Sequence, residues 1–141
     1  MIKKSYLKGK VVIVSLLAFG LLWSGSNIKA GNYQDSWYST YYNGDGSDVF
    51  TNARGKWDYT SSYSYNSNST YAYYTQVYGN NSGANYGWYY TYGSPRLVRV
   101  GYSSYHPNLV KESGLNYAGL GLQSVQHRAS YIGIWWSPDS I

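Results

Sequence analysis

"RASYIGIWW", residues 128–136, decides the fold class. In an extended chain Ile132, Ile134 and Trp136 fall on one side and Tyr131, Gly133 and Trp135 on the other, the period of two that a half-buried strand requires. Just before it, "LNYAGLGLQSV", 115–125, repeats the pattern, with Leu120 and Leu122 on one face and Gly119 and Gly121 on the other. Further back, "RLVRVGYSSY", 96–105, sets Val98, Val100 and Tyr102 opposite Leu97 and Arg99, and "YGWYYTY", 86–92, aligns Tyr86, Trp88, Tyr90 and Tyr92. "TYAYYTQVY", 70–78, carries Tyr71, Tyr73 and Val77 on one face and Tyr74, Gln76 and Tyr78 on the other. "KWDYTSSYSYN", 56–66, alternates Trp57, Tyr59, Tyr63 and Tyr65 with Asp58, Thr60, Ser62 and Ser64. The "NSNS" turn at 66–69 makes these last two a hairpin. "GNNSGAN", "GSP" and the loop "HPNLVKESG", with Pro107 and Gly114, separate the other strands. No i, i+3, i+4, i+7 apolar stripe is sustained, so the expectation is an all-β protein: an antiparallel sandwich, small barrel or meander of about six strands.

The first thirty residues read differently. Lys3, Lys4, Lys8 and Lys10 form a basic start, "VVIVSLLAFGLLW" an uninterrupted apolar run at 11–23, and "SGSNIKA" an exit on the small residue Ala30. These are the three parts of a secretory signal peptide. As a helix the run would rise only about 20 Å against a hydrocarbon core of roughly 30 Å, too short to span. The expected organisation is a signal peptide over 1–30, a polar and loosely held arm over 31–52, and a β domain over 53–141.

Cleavage after Ala30 changes the charge. The whole chain carries +5, but residues 31–141 hold six bases and six acids, because the five remaining lysines lie in the leader. Nucleic-acid binding and attack on anionic bilayers draw on a basic surplus, and the mature chain has none. The expected partners are therefore a cell-surface or glycan target, or further copies of the chain, with no nucleic acid and no membrane. The chain contains no cysteine, so this exported domain must cohere without disulfides.

Rings dominate the mature composition: nineteen Tyr, five Trp and Phe50 against fourteen Val, Leu and Ile. Aromatic rings should therefore supply much of the core, at about 150–250 Å² each. They cannot all be inside, since an unpartnered buried phenol costs about 1–3 kcal/mol. Tyrosines on both faces of 70–78 put at least one ring-bearing face in water, and an exposed aromatic patch marks a contact surface. The candidate contact residues are Tyr74, Tyr78, Trp88, Tyr89, Tyr90, Trp135 and Trp136. The bland reading of the same residues is strand propensity and cross-strand pairing.

Motifs for chemistry are absent. His106 and His127 have no partner at metal-ligand spacing, and there are no thiolates for zinc. "NGDGSD", 43–48, begins like a calcium loop, but Asp48 stands where the turn glycine belongs and Arg54 where the bidentate glutamate belongs. No nucleophile elbow, zinc helix or phosphate loop occurs. Asp58, Glu112 and Asp139 could meet in space as a carboxylate pair for glycoside cleavage. The "NST" at 68–70 and "NNS" at 80–82 fit the glycosylation acceptor pattern and mark exposed turns. The expectation is a non-enzyme without cofactor or metal.

The leader, the lack of cysteine, "RASYIGIWW" with its Gly133-to-Trp135 step, and the ending "WSPDSI" around Asp139 and Ser140 resemble an uncharacterised family of small exported proteins of Gram-positive bacteria. "KWDYTSSYSY" is also similar to the front of the lactococcin-972 type of bacteriocin, although the histidine-containing continuation found there is missing after Tyr65. What both resemblances imply is an exported, cysteine-free β-protein used against other cells or displayed to them. The leading expectation is a secreted, bacteriocin-like protein acting by surface contact. A carbohydrate- or wall-binding module, retained loosely at the cell wall, and a self-assembling matrix protein are the alternatives.

Overall fold

A computed structural model describes residues 31–141; the expected signal segment lies outside the described residues. The architecture is all-β, in two antiparallel sheets. The described residues form ten strands in order: β1 (Ser36–Tyr42), β2 (Val49–Phe50), β3 (Arg54–Gly55), β4 (Ser62–Tyr65), β5 (Tyr73–Asn80), β6 (Tyr89–Tyr90), β7 (Arg96–Val98), β8 (Ser103–His106), β9 (Tyr117–Ser124) and β10 (Ser130–Ser137). The first sheet has the order β1-β10-β4-β8. The second is built on the β5–β9 pair: β2 and β3 form a broken edge along β9, and β6 and β7 a broken edge along β5.

The two long glycine- and leucine-bearing segments form strands as their alternation predicts. β9 turns Ala118, Leu120 and Leu122 inward, and β10 turns Ile132, Ile134 and Trp136 inward. One apolar cluster joins these to Tyr42, Tyr73, Val77, Val98 and Val110, so the sheets share a single core between them. Each enclosed Leu or Ile contributes about 1.5–3 kcal/mol. The chain crosses from one sheet to the other between β9 and β10 through a single 3-10 turn, Val125–His127, with Gln126 and His127 at φ 57° and 50°.

Several expectations are corrected. Residues 31–52 are not a loose arm: β1 pairs with β10 along its whole length, from Ser36↔Trp136 to Tyr42↔Ser130, and Tyr42 lies in the core. The 56–66 and 70–78 segments do not form a hairpin. β4 lies between β10 and β8 in the first sheet, whereas β5 belongs to the second. The 96–105 run is two strands in different sheets, broken at Gly101, whose φ of 82° reverses the chain. The 86–92 run shortens to two paired residues, Tyr89 and Tyr90.

Rings also fill less of the interior than their number suggests. Among the described residues only the rings of Tyr42, Tyr73 and Trp136 are enclosed, beside seven Val, Leu and Ile. In β4 the serines point in and the tyrosines out. The reason is polar satisfaction. Ser64 Oγ lies 3.0 Å from the Tyr73 hydroxyl and 2.8 Å from His106 Nε2, and Ser62 Oγ donates to the Pro138 carbonyl at 2.8 Å. A phenol can be buried here only because small hydroxyls face it.

Candidate functional site

Both outer sheet faces carry rings. On the second sheet, the outward positions of β5 are Tyr74, Gln76 and Tyr78, and those of β9 opposite them are Gln123, Gly121 and Gly119. The two glycines leave a trough. A Cβ at Gly119 would come within 2.5 Å of the Trp88 ring, so that indole lies directly on the strand backbone. Phe50 stacks on Trp88 at 5.6 Å between centroids and meets Tyr78 edge-on at 5.0 Å; Tyr78 in turn meets Tyr90 at 5.6 Å.

A polar chain fixes the central ring. Gln76 Nε2 donates to the Tyr78 hydroxyl at 2.5 Å, which donates to Asp48 Oδ2 at 2.8 Å, and Gln123 Nε2 donates to Asp48 Oδ1 at 2.7 Å. Burial first, then the hydrogen bond to Asp48 and its charge, push the Tyr78 phenol up to about 12. Asp48 is thus a ring anchor. In the same turn Asn43 Oδ1 and Asp45 Oδ1 accept the Asp45 and Ser47 amides, so the 43–48 segment folds as successive Asx turns.

The first sheet presents a second ring surface. Trp37 on β1, Trp135 on β10 and Tyr65 on β4 are in register, forming a row across three adjacent strands. Trp37 and Trp135 meet at 5.4 Å, and a Cβ at Gly133 would lie 2.9 Å from the Trp37 ring, repeating the ring-over-glycine device of the other face. Next to the row, Tyr63 and Tyr105 pair across β4 and β8 at 5.4 Å. Tyr41 and Tyr131 pair at the far end of β1 and β10. Among the described residues no charged side chain occupies an outward strand position on this face. Beyond Tyr63 and Tyr105 the surface dips into a cleft of about 180 Å³, also lined by Tyr33, Asp35, Asp139 and Ile141.

The seven sequence candidates therefore divide. Tyr78, Trp88 and Tyr90 come together on the second sheet, and Tyr74 is exposed farther along the same face. Tyr89 is exposed but alternates to the other side of β6. Trp135 sits on the opposite side of the molecule. Trp136 is corrected outright: it is 1% exposed, in the core, with the Arg54 guanidinium 5.4 Å from its ring, and so presents no contact surface. Sequence reading gives Trp37 and Phe50 only as docking points of the supposed arm, and it misses Tyr63, Tyr65 and Tyr105 as contact residues. The alternation of 56–66 had grouped Tyr63 with Tyr65 but could not say that their side was wet.

The carboxylates resolve differently from a glycosidase pair. Asp58 and Asp139 do meet, but around the ammonium of Lys56, at 3.6 and 2.7 Å. Asp139 is fully enclosed, while Glu112 is exposed on the 107–114 loop. Among the described residues no three His, Asp or Glu side chains converge as metal ligands.

Residues 26–140 match the family model described as "Protein of unknown function (DUF2712)", and the chain belongs to that family. No curated protein and no solved structure matches the chain.

Proposed function

We propose that this member of the DUF2712 family is an exported, non-catalytic β-protein that binds glycan chains of a bacterial cell envelope through its ring-bearing faces. The observation that carries this reading is the uncharged row Trp37–Trp135–Tyr65, in register over three strands and bordered by the cleft that the exposed Asp35 lines. Strands lie about 4.8 Å apart, so the row extends roughly 10 Å, long enough to meet successive sugar rings. The apolar C–H face of a pyranose packs against the electron-rich face of an indole or phenol, while hydroxyls at its rim need carboxylate or carboxamide partners. The second face offers the same combination in Trp88, Tyr90, Gln76 and Asp48.

An exported protein of balanced charge suits a neutral polymer target better than a nucleic acid or an anionic bilayer. Loose retention at the cell wall would follow. The bacteriocin-like reading, of a protein released from Gram-positive cells against their neighbours, uses the same surfaces with a different consequence.

The test is co-sedimentation of the secreted protein with purified peptidoglycan and with insoluble neutral polysaccharides. Retention is expected, weakened about tenfold or more by Trp135→Ala, the scale of one lost hot-spot ring. No retention, together with growth inhibition of related bacteria, would replace a glycan target with a protein or lipid one. Retention unaffected by both Trp135→Ala and Trp88→Ala would end the ring-face reading.

A further inference from the structure

We infer that hydrolysis of the Ala30–Gly31 bond creates an α-ammonium on Gly31 that docks against Asp58 and completes a buried charge cluster. The step consumes one water and leaves the Ala30 carboxylate and the Gly31 ammonium.

The cluster is one positive charge short. Asp139 is enclosed, with Oδ1 accepting from Lys56 Nζ at 2.7 Å and Oδ2 accepting the Asn32 and Trp57 amides at 2.5 and 3.1 Å. Lys56 is also enclosed and gives a further hydrogen bond to the Thr60 carbonyl. Asp58 is largely covered, and its Oδ1 takes the Thr60 amide at 2.9 Å and the Thr60 hydroxyl, with Lys56 Nζ 3.6 Å away. Two carboxylates thus share one ammonium. The next cation, Arg54, acts on Asp139 and Asp35 through its charge alone, its hydrogen bonds going to the Trp136 and Gln34 carbonyls and to Asn32 Oδ1.

The other oxygen of the Asp58 carboxylate is Oδ2. It faces Gly31, which is buried: a Cβ built on Gly31 would overlap Asp58 Oδ2 and the Tyr33 ring. Only a residue without a side chain brings its main chain so close to that oxygen. Asn32, the next residue, is tied down at both ends, by its amide to Asp139 and by its Nδ2 to the Gly55 carbonyl at 3.1 Å. The main chain of Gly31, and with it its nitrogen, is therefore held near Asp58 Oδ2, in a carboxylate pair that shares the Lys56 ammonium. As an amide it can donate one hydrogen bond; as an ammonium it brings the missing charge and three donors. The sequence independently places the end of the leader at Ala30. Anchoring Gly31 also fixes Tyr33 and Asp35, two walls of the cleft beside Tyr63 and Tyr105.

The described strands and their core lie in the chain that this cleavage leaves. The full-length chain is exported from a secreting host and its N-terminus read by intact mass and terminal sequencing; Gly31 is expected. The Gly31 α-amine is then titrated by NMR on labelled protein, with Asp58, Asp139, Lys56, Arg54, Asp35 and Tyr33 as the surrounding titratable and charged groups. Its pKa should lie at least one unit above the ordinary value of about 7.7–8.0. N-acetylated 31–141 should melt about 3 °C or more below the free form, and Asp58→Asn should remove that difference. Should Asp58→Asn not fold, the wild-type titration alone decides. Processing at another bond, an α-amine with ordinary titration, or equal melting of the free and acetylated chains would each overturn the inference. None of these readouts depends on glycan binding.

Discussion

Lys56 Nζ donates to Asp139 Oδ1 at 2.7 Å across 83 residues of sequence, and both side chains are fully enclosed. This pair ties the last residues of the chain to the segment leading into β4. Breaking it from one side leaves a buried charge without compensation. Lys56→Met is expected to cost about 3–5 kcal/mol in urea unfolding. A loss below about 1 kcal/mol would show that water reaches Asp139.

Neighbouring tryptophans should behave oppositely. Trp136→Ala opens a cavity in the core and is expected to cost about 3–5 kcal/mol. Trp135→Ala removes an outward ring and should change stability by no more than about 1 kcal/mol while weakening glycan retention. Equal destabilisation by the two substitutions would contradict the inward and outward assignment along β10.

Gly119→Ala places a methyl group 2.5 Å from the Trp88 ring, which must move. The expected cost is about 1–3 kcal/mol, with a change in near-ultraviolet circular dichroism as the Phe50–Trp88–Tyr78 stack is disturbed. An unchanged aromatic spectrum would mean that Trp88 does not rest on the strand.

His106 gives a pH dependence. Burial, and then the charge of Arg96, push its imidazole down to about 3, so the folded state keeps it neutral beside Ser64. The unfolded chain binds the proton near pH 6.5, so this contribution is complete above that pH. It is lost as pH falls from about 6.5 towards 3, by up to roughly 1.4 kcal/mol per unit. Urea midpoints between pH 7 and 4.5 should fall in the wild type and fall less in His106→Asn. Asp58 acts in a lower window. Despite the opposing desolvation, its hydrogen bonds from Thr60 and the charge of Lys56 hold it below its usual range. Its contribution is present above about pH 3.8 and lost below it.

Ser64→Ala would deprive both the Tyr73 hydroxyl and His106 Nε2 of their partner and should cost about 1–3 kcal/mol. Tyr73→Phe leaves the Ser64–His106 contact intact and should cost less, about 0.5–1.5 kcal/mol. The reverse order in thermal or urea denaturation would show that Ser64 is not the shared partner.

The strands legible in the sequence are those whose two faces differ in greasiness. In β9 and β10, Leu and Ile alternate with Gly and Tyr, and the inward set followed directly. In β4, Ser alternates with Tyr, and the greasier set turned outward, because the inner position had to partner Tyr73 and His106. β1 is hard to read because "SWYSTYY" is polar on average, and its pairing with β10 depends on residues 88 to 100 positions away. The ring site was half legible for the same reason. Tyr78, Trp88 and Tyr90 lie close in sequence, whereas Phe50 and Trp37 reach their places only through β9 and β10.

By itself the sequence determined the β class, the balanced charge of residues 31–141 and which side chains share a face in β5, β9 and β10. All of these follow from composition or from the two-residue repeat of an extended backbone. Only the tertiary structure decided which face is wet, which strands are neighbours and why Lys56 can be buried. Those outcomes depend on the opposing sheet, whose atoms settle whether a phenol, a serine or an ammonium group has a partner inside.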